Sequence, residues 1–173
     1  ITIPSDLTQI RQKAGWILSR KKYEWSRWKC RNIAEFVESV RREIKSSNPK
    51  MLLGVFGVPW KPKEGLWEIV GQDYSLLADH VDVFSPMVYY PLNKRPGIWM
   101  VDAIDYVASE TKHPVWPILF VGDSYHPLSL MEIEAAIILV AQSPAQGILF
   151  ISLSDIVQRR LEPALQRALR PIP

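Results

Sequence analysis

Apolar and polar positions fall in blocks along this chain, and the period of the pattern changes from block to block. Over Trp28–Ser46, the residues Ile33, Phe36, Val37, Val40 and Ile44 recur at three- and four-residue spacing, which predicts an amphipathic helix. Arg41, Arg42 and Lys45 load its last turns, where cations suit the helix dipole, and Ser47-Asn48-Pro49 stops it. Met51–Val58 is a continuous apolar run, MLLGVFGV, that reads as a strand ending at Pro59-Trp60. A polar loop through Lys61–Gly65 leads to a short helix near Tyr74–His80 and then to a second strand, Val81–Tyr89. Pro91, Pro96 and Gly97 mark a loop before a helix over Met100–Glu110. Pro114–Val121, PVWPILFV, is a third strand, and Ser129-x-x-Glu132 is a capping box that opens an apolar helix through Ala141. Gly147–Leu153, GILFISL, is the fourth strand. From Asp155 the tail is amphipathic, with Pro163 in the first turn of a last helix.

Helices alternating with near-continuous apolar strands predict an α/β fold whose parallel sheet is covered on both faces. Right-handed crossovers put all four strand ends on one rim. Four parallel βα units preceded by a helix suit half of an eight-stranded barrel, and equally a small open doubly wound sheet. The expected organisation is a basic N-terminal loop or segment over 1–24 followed by one α/β domain over 25–173.

Composition changes this picture little. The chain has 173 residues, 47% hydrophobic and 23% charged, enough for one domain with a core. No apolar run is long enough to span a bilayer, and one cysteine, Cys30, precludes an internal disulfide and leaves the compartment open. The first residue is Ile and nothing at the N-terminus resembles a signal peptide, so the chain reads as cut from something larger. The net charge of +3 is uneven: residues 1–50 hold 12 Lys and Arg against 5 Asp and Glu, and the remainder holds 9 against 13. Arg20-Lys21-Lys22 and Arg27-x-Lys29-x-Arg31, interleaved with Trp25 and Trp28, have the composition of a nucleic-acid patch. No nucleic-acid-binding motif accompanies them, so a solvated basic face is the expectation and nucleic acid is not expected as a partner.

Candidate chemistry gathers at Val81–Tyr90, VDVFSPMVYY, where a strand delivers an aromatic hydroxyl to the start of a loop. In parallel α/β proteins ligands bind at the carboxyl ends of the strands. Ser85-Pro86-Met87-Val88-Tyr89, preceded by Gly71-Gln72-Asp73, resembles the C-terminal half of a family of proposed glycoside hydrolases with TIM-barrel folds. Trp28-Lys29-Cys30 leading into Ile33–Val37 looks like that family's fourth barrel helix, and Leu53–Gly57 with Pro59-Trp60 is similar to its fifth strand. Ser129, Glu132 and Ile133, followed by Gly147–Phe150, resemble its seventh helix and eighth strand; the likeness runs over residues 25–155. More distantly, Met87-x-Tyr89 looks like the sixth-strand motif of chitinase-like barrels, where the tyrosine supports the reacting sugar. The resemblance thus implies the C-terminal half of a (β/α)8 barrel. It also implies that the chain starts after the fourth strand, where such glycosidases hold their general acid.

Under that resemblance Tyr89 is the leading site residue, with Asp123, just past the third strand, as the carboxylate placed for a direct chemical role. Trp60 is placed to stack on a sugar ring, and Met87, Tyr90 and His126 to line the cleft. Tyr90 stands where chitinase-like proteins have an acid, and Phe120 where the family tends to have Gln. Asp82, Asp73 and Asp155 read as structural acceptors or caps. His80, His113 and His126 lie in separate loops without metal spacing, and no phosphate-cradling glycine motif occurs, so neither a metal nor a cofactor is expected. The expected function is part of a barrel that cleaves O-glycosidic bonds in poly- or oligosaccharides, inactive as an isolated chain. The alternative is a non-catalytic carbohydrate-binding or scaffold module derived from such a barrel. A natural half-barrel would be expected to pair as a homodimer, burying its open edges.

Overall fold

The long amphipathic pattern forms a helix six residues earlier than its apolar stripe suggests. In the structure, a computed structural model that describes residues 1–158 and 161–169, helix α2 spans Lys22–Ser47. The segment over 1–24, expected as a basic loop or segment, contains a further helix, α1 (Ile10–Arg20). The inward face of α2 matches the expected stripe in part: Ile33, Val37, Val40 and Ile44 are half-buried. Ser26, Cys30 and Ala34, at four-residue spacing, are its buried positions, whereas Phe36 is 68% exposed. Small side chains on one row let the neighbouring backbone approach closely, and a bulky phenyl ring cannot occupy that row.

The chain divides into two compact units that interleave along the sequence. The first comprises Ile1–Met51 and Trp60–His80. Here the loop after the first strand is more ordered than its polar composition suggests. A 3-10 turn, Pro62–Glu64, runs into a π-helical turn, Leu66–Val70, and helix α3 (Tyr74–Ala78) follows. Gly65 and Gly71 flank the π turn at φ +97° and +76°, a backbone region that L side chains rarely adopt. Lys29 Nζ of α2 donates to the carbonyls of Glu68 (2.6 Å) and Ile69 (3.3 Å), satisfying acceptors that the turn leaves open. A Cβ on Gly71 would stand 3.0 Å from Lys29 Cβ and 3.3 Å from Ile33 Cδ1. Gly71→Ala is therefore expected to destabilise this unit by at least about 1–2 kcal/mol, the cost of a left-handed alanine alone. Urea titration followed by circular dichroism checks it, and an unchanged midpoint would contradict it.

The second unit, Leu52–Pro59 with Val81–Pro173, contains all four strands: β1 (Gly54–Gly57), β2 (Val83–Pro86), β3 (Ile118–Phe120) and β4 (Leu149–Ile151). β1 pairs with β2 in parallel, β3 with β4 in parallel, and parallel bridges Phe84–Val115 and Met87–Ile118 join β2 to β3. The spatial order is thus the sequence order. Helices α4 (Ile98–Thr111) and α5 (Leu130–Ala141) connect successive strands, and α6 (Leu153–Gln158) and α7 (Glu162–Leu169) follow. The amphipathic tail expected from Asp155 lies outside the described residues at 159–160 and 170–173. All four residues of β2 are buried, as a central parallel strand requires, and Met100, Ile104 and Val107 of α4 are buried with them. At the edges the pattern reverses: Phe56 of β1 is 65% exposed, and Ile151 of β4 is exposed too.

Local polar groups behave as their spacing predicts. Ser129 Oγ accepts from Glu132 N (3.2 Å) while Glu132 Oε2 accepts from Ser129 N (2.7 Å), closing the capping box of α5. Asp73 caps α3 through Ser75 N (3.1 Å), and Asp82 Oδ2 accepts from Leu53 N (2.8 Å) at the start of the paired strands.

Candidate functional site

The carboxyl ends of the four parallel strands form the rim where the site is expected. β2 reaches it through a sharp exit: Met87 N donates to Gly57 O (2.9 Å) and Val88 N to Ile118 O (3.2 Å), holding the segment between its two neighbours. Tyr89 N and Tyr90 N then bond to carbonyls two residues back, at 2.9 and 2.8 Å, which curls the chain out of the sheet. Asn93 secures the curl by donating to Tyr89 O from both its backbone (3.0 Å) and its side chain (2.9 Å).

This exit leaves the Tyr89 ring half-buried, 6.3 Å between centroids from Phe120 at the end of β3. Its hydroxyl has no hydrogen-bond partner among the described residues. Burial pushes the phenol above its usual range, so it stays a neutral O–H donor. Tyr90 is raised as well, first by burial and then by the negative charge of Glu132. Met87 is half-buried at the same exit.

Past β3, Gly122 at φ +86° turns the chain into the Asp123 loop. Asp123 Oδ1 accepts from Tyr125 N (2.8 Å) and His126 N (2.6 Å), and His126 Nδ1 lies 3.4 Å away. The His126 amide foremost, then that of Tyr125, hold the carboxyl below the usual carboxylate range. A carboxyl so held stays ionised at neutral pH and is a poor proton donor. It organises its own loop. The stability it adds is present above the ordinary carboxylate pKa and fades as pH falls through the depressed value.

The structure therefore brings Asp123 and His126 together and sets the Tyr89 and Phe120 rings side by side at a tilt of 52° across adjacent strands. Trp60 belongs to the first unit, half-buried at the start of the 60–80 segment. Asp155, expected as a cap, takes a different place in the cap of α6. Beyond β4, Ser152 Oγ donates to Asp155 Oδ2 and accepts from Ser154 Oγ (2.7 Å) and from Asp155 N (3.4 Å). Ser152 is thus the cap of α6 and Asp155 its partner three residues on, a spacing visible in Ser152-x-x-Asp155. Among the described residues no group of three His, Cys, Asp or Glu is disposed to hold a metal ion, and no helix is long and apolar enough to cross a membrane.

Comparison with known proteins adds to this geometry. The fold is similar to the PgaB (BpsB) glycoside hydrolase domain from Bordetella bronchiseptica, with a TM-score of 0.68 and 16% identity. That match covers 90% of this chain and 46% of the other, so this chain spans less than half the length of the solved one. At such identity the likeness speaks for the fold alone. No curated protein matches. A family model described as "Putative glycosyl hydrolase domain" matches residues 8–113, starting ahead of the motif-based likeness at 25 and taking in α1. The matched stretch is more than half of the 173 residues, includes β1, β2 and the Tyr89 exit, and places the chain in that family.

Proposed function

We propose that this chain supplies the C-terminal half of a (β/α)8 barrel that cleaves O-glycosidic bonds in a poly- or oligosaccharide. The observation that carries the reading is the neutral Tyr89 hydroxyl, without a hydrogen-bond partner among the described residues, at the carboxyl end of a central parallel strand in a chain of that family. Such a donor suits the developing charge of a glycosyl-transfer transition state. Met87, Tyr90 and His126 line the same cleft in this reading. In this reading Asp123 serves as an ionised carboxylate rather than as the acid, since its loop amides hold the carboxyl below the usual range. Asp155, the other rim carboxylate past a strand end, is engaged by Ser152. The chain alone is accordingly inactive. The purified chain should release no detectable nitrophenol from a panel of 4-nitrophenyl glycosides and no reducing ends from polysaccharides. Turnover that disappears in Asp123→Asn would overturn this and make Asp123 a catalytic group.

A second reading, a non-catalytic carbohydrate-binding module, draws on the Phe120 ring beside Tyr89, which makes the rim more apolar than a reaction centre needs. It predicts saccharide binding without cleavage even by a complete barrel carrying these residues.

A further inference from the structure

The first unit contains a cavity of about 410 Å³ between the opening turns of α2 and the 62–73 segment, within the size range of small-molecule sites. Its polar groups are unequally satisfied. Lys22 Nζ and Glu68 Oε2 pair at 2.5 Å and neutralise each other. Arg27, half-buried, has no hydrogen-bond or ion-pair partner among the described residues. Asp73, only 8% exposed, uses Oδ1 to cap α3. Burial, and then the charge of Asp73, push the neighbouring Cys30 thiol up, which keeps it neutral. Trp67, half-buried and without a ring partner among the described residues, supplies an aromatic wall.

A ligand matched to these walls needs an anionic group for Arg27, an apolar ring face for Trp67 and a donor for Asp73. A guanidinium is built to take a carboxylate through two parallel hydrogen bonds. The donor facing Asp73 is better a hydroxyl than an ammonium, since an ammonium would have to shed its hydration at a carboxylate that is almost fully buried. We propose that this cavity binds an acidic pyranose, a sugar unit bearing a carboxylate. Arg27 holds the carboxylate, Trp67 covers the ring and Asp73 accepts a ring hydroxyl. The proposal rests on the saccharide reading above but uses none of its rim residues.

Isothermal titration of the full chain with tri-galacturonate and with neutral cellotriose tests it. The acidic sugar should bind at least about ten times more tightly than the neutral one, the factor that corresponds to 1.4 kcal/mol. Arg27→Met and Trp67→Ala should each weaken it about tenfold or more, whereas Tyr89→Phe should leave it unchanged. Asp73→Asn keeps a good cap and should weaken binding while circular dichroism and the unfolding midpoint stay as in the parent. Equal affinity for the two sugars, or binding of neither, would overturn the proposal. Binding lost in Tyr89→Phe and kept in Arg27→Met would also overturn it, moving the saccharide to the rim and leaving the glycosidase reading intact.

Discussion

Phe84→Ala is expected to lower the unfolding free energy by about 3–5 kcal/mol, a large part of what holds a domain of this size together. Phe84 is 1% exposed in the central strand β2. Its backbone is bonded on the β3 side through Phe84 N to Pro114 O (2.9 Å) and Trp116 N to Phe84 O (2.8 Å), so the strand cannot shift to fill the space. Removing the ring loses its transfer free energy and leaves a cavity among neighbours that are themselves pinned. Urea unfolding monitored by tryptophan fluorescence measures the effect. A loss below about 1 kcal/mol would mean that the site collapses freely, and the rigidity argued for β2 would then be wrong. The contrast is Phe56→Ala on the edge strand, where a ring 65% exposed should cost far less.

Tyr89→Phe, tested in a catalytically competent barrel that contains this stretch, is expected to lower kcat by about 10²-fold, on the scale of removing one transition-state hydrogen-bond donor. KM should change little, because the donor's partner gains its charge only as the glycosidic bond breaks. The substitution keeps the ring, so its contact with Phe120 and the curl tied by Asn93 survive and the fold should not respond. A rise in KM with unchanged kcat would instead make Tyr89 a ground-state sugar contact. No change in either would identify the hydroxyl as a bystander and shift weight to the non-catalytic reading.

Much of the fold follows from short-range chemistry. The capping box at Ser129 and Glu132, the cap at Asp73 and the stop after Ser47 are decided within four residues, where the chain has few alternatives. The strands are legible as apolar runs because β2 and β3 are covered, and the order of runs and helices already implied parallel pairing. Their ends were overread: GVFG, VFSP, ILF and LFI pair, but the expected runs extend several residues beyond them. Apolar composition marks burial, while hydrogen-bonded pairing depends on a neighbour strand that the run itself does not encode.

The site divides along the same line. That the chain would leave a strand at Tyr89 is a local inference from Ser85-Pro86-Met87-Val88-Tyr89, and the backbone bonds show that exit. That the Tyr89 hydroxyl lacks a partner among the described residues depends on every group around it, so only the tertiary structure decides it. Asp123 is a second case: its position after β3 is read from the sequence, while the two loop amides that bond its carboxylate are seen only in the structure. Arg27 and Trp67 meet across forty residues of sequence to wall one cavity, and neither carries a local signal of that role. By itself the sequence determined the class of fold, the helix caps and the rim on which Tyr89 stands, because periodicity and capping act through neighbours in the chain. Tertiary structure alone decided which carboxylates are occupied, which aromatic and cationic groups are left without partners and which unit each belongs to, because solvation and charge are set by groups distant in sequence.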